Sequence, residues 1–146
     1  NYVSANYLKL EFIHTAGELT VFIAGLIGAL IGFLWFNAYP AEVFMGDTGS
    51  LTLGGILAVL SILLKEQIFF LIIGFLFIAE TLSVIIQRTH FRYTKKKYGT
   101  GKRVFLCAPI HHHFEMKGMH ESKIVIRFWI VATLLLAIGL STIKLR

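Results

Sequence analysis

The 146-residue chain is 56% hydrophobic and only 15% charged, with a mean hydropathy of +0.74. Soluble domains carry about 25% charged residues, so this composition excludes a soluble enzyme and a disordered chain. The lone Cys107 excludes an internal disulfide and a thiolate metal cluster.

Residues 1–18 are too polar to span a bilayer and read as an extracytoplasmic loop with some structure of its own. The chain opens on Asn1, and no charged start precedes a short apolar run. No signal peptide is expected, and the chain reads as a fragment or processed product. The first apolar run, Leu19–Phe36, is interrupted only by Thr20 and as a helix would extend about 27 Å, close to the thickness of a hydrocarbon core. Gly25, Gly28 and Gly32 fall on one face of it, a smooth strip against which another helix can pack closely.

A polar loop, residues 37–50, follows. Asp47 is its sharpest feature, lying between Gly46 and Gly49, beside Thr48 and Ser50, and just ahead of the next apolar run. A helix start offers free N–H groups to anions, and a carboxylate beside it suits Mg2+, which takes one or two carboxylates plus phosphate oxygens. A simple helix cap is the competing reading of the same residues. The string Asp47-Thr48-Gly49-Ser50 also matches an aspartic protease, but that site needs a second carboxylate in a β setting, and here apolar runs bracket it.

The second run, Leu51–Leu64, would extend only about 21 Å as a helix, so the loop before it is expected to enter the membrane region, buried in protein or lining a wet cavity. A third run, Ile68–Gln87, contains one acid, Glu80, which should face protein or a cavity instead of lipid. The fourth, Ile124–Ile143, holds Arg127 near its start, where the side chain can snorkel to the interface.

Between the last two runs lies the 88–123 loop. It carries Arg88, Arg92, Lys95, Lys96, Lys97, Lys102, Arg103, Lys117 and Lys123 against Glu115 and Glu121. The positive-inside rule makes it cytoplasmic. Counting crossings, residues 37–50 are cytoplasmic too, while residues 65–67, 1–18 and 145–146 lie outside. Tyr93–Arg103 is expected to be the most loop-like part, with Gly99 and Gly101 as breakers. The Lys95–Lys97 run suits anionic lipid head groups. These basic residues edge a membrane and form no recognisable nucleic-acid motif, so nucleic acid is not an expected partner. The triplet His111, His112 and His113 follows Ala108-Pro109-Ile110. On a helix the three rings point about 100° apart, which argues against one shared zinc. Beside Lys102 and Arg103 they suit phosphate, and a set of interfacial histidines without a site is the plainer alternative.

Phe36-Asn37-x-x-Pro40-Ala41-x-Val43-Phe44-Met45-Gly46-Asp47-x-Gly49-Ser50-Leu51-x-Leu53-Gly54-Gly55, followed by Ala108-Pro109-Ile110-His111-His112-His113-Phe114-Glu115, closely resembles the bacterial phospho-N-acetylmuramoyl-pentapeptide-transferase family of polyprenyl-phosphate phospho-sugar transferases. The resemblance covers essentially the whole chain. It implies an all-α polytopic membrane protein whose four transmembrane helices here (19–36, 51–64, 68–87 and 124–143) match the last four of ten. It also implies a multi-pass enzyme of the bacterial cytoplasmic membrane, with its site facing the cytoplasm. That enzyme moves phospho-MurNAc-pentapeptide from UDP-MurNAc-pentapeptide to undecaprenyl phosphate with Mg2+, giving lipid I and UMP. By the same resemblance Asp47 is the Mg2+-associated catalytic carboxylate, and His111, His112 and His113 are the catalytic histidine motif. Asn37 and Phe44 line the nucleotide pocket, and Gln87 faces the same cleft. Lys102 and Arg103 are placed with the substrate phosphates. The chain alone is expected to be inactive without the missing N-terminal part, and a second copy of the enzyme is kept as a candidate partner. A sibling transferase with another UDP-sugar, and a non-catalytic membrane module or transporter resting on Glu80 and the histidines, are the alternatives.

Overall fold

The structure is a computed structural model and describes residues 2–7, 13 and 16–143. The described residues form helices α1 (Tyr2–Tyr7), α2 (Ala16–Asn37), α3 (Gly46–Leu63), α4 (Gln67–Ile73), α5 (Phe75–Tyr98), α6 (Ile110–Met116) and α7 (Glu121–Ile143), with no strand among them. α2, α3 and α7 are each long and apolar enough to cross a membrane, and α4 with α5 makes a fourth candidate as one bent span. The chain is therefore an all-helical membrane protein. The orientation inferred for residues 1–18 and 145–146 falls partly or wholly outside the described residues.

The chain divides into two compact units, Asn1–Phe70 with Ile143–Arg146, and Leu71–Thr142. In the first unit, α2 is an almost unbroken apolar run, and beyond the adjoining residues and the helix's own backbone no heavy atom comes within 4 Å of a Cβ built on Gly25, Gly28 or Gly32. Trp35 is 82% exposed and Leu51 75% exposed. Side chains of this size do not face water along a whole helix; lipid or further protein is their natural solvent. α3 starts earlier than its apolar run suggests. Gly46 takes a φ of +66°, which glycine accepts without strain, and the helix begins there. Asp47 thus lies inside the first turn and not in the loop, where its charge favours the helix N-terminus.

In the second unit the third apolar run is not one straight helix. It breaks at Gly74, where α4 and α5 meet at a 70° bend. α5 then continues well past Gln87, to Tyr98, so the expected loop Tyr93–Arg103 is helical for its first half. Lysines and arginines are good helix formers. Lys95, Lys96 and Lys97 sit in the last turn, where cations favour the helix C-terminus. Gly99 ends the helix in the left-handed conformation at φ +74°, with its N–H donating to Lys95 O at 3.0 Å. The 88–123 segment is accordingly not a single loop, since α6 and the start of α7 also lie in it.

Substituting Gly99 by Ala should cost about 1 kcal/mol, because a Cβ disfavours the left-handed cap. Amide exchange of Lys95 to Lys102 should accelerate, while α7 is unchanged.

Candidate functional site

One face of α5 carries the polar side chains Glu80, Gln87, His90 and Thr94, spaced by seven, three and four residues along the helix. Such spacing keeps them in one stripe. Each of them engages the backbone of residues 102–110, which returns along the helix. Thr94 Oγ1 accepts the Lys102 N–H at 2.8 Å, and His90 Nδ1 lies 3.1 Å from Lys102 O. Gln87 Oε1 accepts the N–H groups of both Val104 and Phe105 at 2.9 Å, while its Nε2 donates to Phe105 O at 2.9 Å. Glu80 Oε2 accepts the Ile110 N–H at 2.8 Å. The extended segment has no helix or sheet partner for these groups, so the α5 stripe supplies them.

That seam delivers the three histidines to α6, with Ala108–Pro109 in the cis form immediately before it. Their surroundings differ. His111 Nδ1 lies 3.3 Å from Glu80 Oε2. His112 Nδ1 lies 2.6 Å from Glu115 Oε2, one helical turn on. His113 Nδ1 accepts the Leu106 N–H at 3.1 Å, and its ring meets Phe105 edge-on at 5.7 Å. A ring nitrogen that accepts a backbone N–H carries no proton, so neutral His113 has its proton on Nε2. The triplet therefore splits into a residue beside a half-buried carboxylate, a residue paired on the surface of α6, and a brace for residue 106.

Two clefts flank this arrangement. One, of about 350 Å³, is lined by Leu76, Phe77, Glu80, His111, Glu115, Glu121, Ile124, Val125 and Phe128. The other, of about 580 Å³, is lined by Val84, Gln87, Arg88, Phe91, Arg92, Lys95, Arg103, Leu106, Cys107 and Ala108. Arg88, Arg92 and Lys95 follow one another along α5, and Arg103 faces them from the returning segment. Four cations beside apolar walls suit a phosphate carried on an apolar or aromatic body. Gln87 and Arg103 thus share a cleft. Gln87 is also a brace, since both ends of its amide hold the backbone of residues 104 and 105. Lys102 does not line either cleft; its Nζ lies 5.9 Å above the Tyr98 ring.

In the other unit, Asn37 Nδ2 donates to Val43 O at 2.7 Å, and the Glu42 N–H donates to Phe36 O at 2.9 Å. These bonds fold residues 38–45 back on the end of α2. Phe44 is 80% exposed. Asp47 is exposed, and its carboxylate has no hydrogen-bond or ionic partner among the described residues. A single exposed carboxylate in a helix's first turn fits Mg2+ in the manner of a metal that draws its remaining ligands from phosphates and water. No group of three or more His, Cys, Asp or Glu among the described residues is placed to hold a metal without such help.

His90, Thr94, Arg88 and Arg92 had no assigned place in a site from the sequence. The polar stripe that His90 and Thr94 extend, and the separate cationic face of Arg88, Arg92 and Lys95, become visible only once α5 is known to run to Tyr98.

Residues 2–65 match the model of glycosyl transferase family 4. Over all 146 residues the chain is 56% identical to the phospho-N-acetylmuramoyl-pentapeptide-transferase of Flavobacterium johnsoniae and 58% identical to that of Rickettsia prowazekii. It covers 36% and 39% of their respective lengths, so it spans well under half of each of these relatives.

Replacing Gln87 by Leu should remove three hydrogen bonds and strand two backbone N–H groups, at about 1–3 kcal/mol. Limited trypsin digestion should then cut faster after Lys102 and Arg103, with cleavage at Lys65 unaffected. Equal rates at all sites in variant and parent would show that Gln87 does not hold the segment.

Proposed function

We propose that the chain is part of an enzyme that transfers phospho-MurNAc-pentapeptide from UDP-MurNAc-pentapeptide to undecaprenyl phosphate, releasing UMP and forming lipid I for peptidoglycan synthesis. The observation that carries this reading is the identity of 56–58% over the whole chain to transferases of that name. The reaction joins two anions, so catalysis rests on positioning and on charge neutralisation. Mg2+ is the proposed cofactor and would screen the diphosphate of the donor.

Asp47 is the residue assigned to hold that ion, in keeping with its exposed and unpartnered carboxylate. Phe44, equally exposed, is free to lie against the uracil ring, and Asn37 keeps its amide oxygen for the nucleotide while its nitrogen closes the loop. Arg103, with Arg88, Arg92 and Lys95 around the larger cleft, is assigned to phosphate oxygens of donor or acceptor. Lys102 acts at longer range, as a charge near the cleft mouth. His111 is the histidine assigned to the reacting phosphates. His112 modulates Glu115, and His113 holds the segment. By the charge of residues 88–123 the site faces the cytoplasm, in the cytoplasmic membrane of a bacterium, and a second copy of the enzyme is a candidate partner.

The full-length enzyme that contains this chain, in membranes supplied with both substrates and Mg2+, tests the assignment through UMP release. Asp47→Asn should lower turnover by roughly 10²- to 10³-fold, the scale on which one electrostatic group acts, while the protein remains folded. His111→Ala should lower it by about 10²-fold or more, and His113→Ala should lower it together with thermal stability. Unchanged release from Asp47→Asn would remove Asp47 from the mechanism.

A further inference from the structure

Glu80 is the one carboxylate in the third apolar run, and its geometry is costly for a purely structural residue. Its side chain is only 18% exposed. Oε2 accepts the Ile110 N–H at 2.8 Å and faces His111 Nδ1 at 3.3 Å. Oε1 is buried and has no hydrogen-bond partner among the described residues. A largely shielded carboxylate with one oxygen unsatisfied is a poor way to cap a short helix, since a neutral amide would cap it without sequestering a charge. The oxygen that caps α6 also faces His111, and its negative charge makes it the stronger partner for an imidazole N–H. An acceptor facing Nδ1 holds the imidazole proton there and leaves the Nε2 lone pair available, the arrangement by which carboxylates orient histidines in hydrolases and metal sites.

We propose that Glu80 is a positioning residue for His111: it fixes the ring and holds its proton on Nδ1, so that the Nε2 lone pair is free to take the remaining proton of a singly protonated acceptor phosphate as that phosphate's oxygen attacks. The inference rests on the transferase reading for its catalytic consequence, but not for its geometry. Glu115 and His112 do not share this role. They pair with each other at 2.6 Å on a half-exposed part of α6, so the two neighbouring histidines are held by two separate carboxylates.

Glu80→Gln separates the charge from the acceptor. With its amide oxygen at the Oε2 position it still accepts the Ile110 N–H and still faces Nδ1, but it carries no negative charge to strengthen its hold on the imidazole proton. Two readouts on the full-length enzyme that contains this chain test this. In the first, 15N spectra of histidine-labelled protein, with the His111 signal assigned by its loss in His111→Gln, should show the Nδ1-protonated form in the parent and in Glu80→Gln, and loss of that preference in Glu80→Ala. In the second, UMP release should show kcat lowered by roughly 10- to 100-fold, with KM for the UDP donor within about twofold, because no donor contact is altered. Glu80→Ala, which also loses the cap, should lower both kcat and thermal stability. A Glu80→Gln protein with parental kcat, or a Glu80→Ala protein whose His111 tautomer is identical to the parent's, overturns the proposal. If the parent itself releases no UMP, the transferase reading fails, and the 15N spectra alone decide whether Glu80 sets the tautomer.

Discussion

A backbone segment that lies outside helix and sheet must find partners for its N–H and C=O groups, and in this chain one stripe of α5 supplies them. Thr94, His90, Gln87 and Glu80 receive residues 102, 104, 105 and 110 in turn. Everything proposed about the histidines depends on this seam. It sets where α6 begins, turns His111 toward a carboxylate and His113 toward its own backbone, and brings Arg103 opposite Arg88, Arg92 and Lys95. The seam is polar because its partner is backbone. A leucine stripe would pack there, but it would leave four backbone N–H groups without acceptors.

The same requirement explains why α5 runs past the apolar run. Its first half, Phe75 to Gln87, is suited to lipid and protein, and its second half, Arg88 to Tyr98, is cationic. A helix that crosses from one medium to the other can place a carboxylate in the apolar half and arginines in the polar half on a single rigid element. Rigid placement matters for a reaction between two anions, where a shift of about 1 Å in a positioning group costs on the order of a hundredfold in rate.

Much of this was legible from residues alone. The apolar runs of α2, α3 and α7 announce membrane helices by length, and the two motifs around Asp47 and His111 stand out by their glycines, carboxylate and histidines. Charge in the 88–123 segment is equally plain. What could not be read were the ends of the elements. Apolar periodicity is silent about where a helix stops once its side chains turn polar, so Tyr93–Tyr98 looked like loop until the left-handed cap at Gly99 was seen. Asp47 looked like loop for the converse reason: Gly46, Thr48 and Gly49 are weak helix formers, yet the turn at Gly46 starts α3 there. Gln87 was read as facing the nucleotide cleft with Asn37 and Phe44; here it lines a cleft within its own unit, and its three bonds to residues 104 and 105 join positions 17 and 18 apart, a separation that local pattern does not encode. The Gly25, Gly28 and Gly32 strip remains open in the structure, in keeping with a chain that covers 36–39% of the relatives it matches.

The claim at the centre of this account is the identity of the transferred group. It is tested most directly by offering the full-length enzyme that contains this chain, in membranes with undecaprenyl phosphate and Mg2+, either UDP-MurNAc-pentapeptide or UDP-N-acetylglucosamine, and measuring UMP release. The account predicts release with the first donor only, and none when the lipid phosphate is left out. Release with the second donor alone would place the chain in a sibling transferase. No release with either donor, from protein shown to be folded, would contradict the account outright.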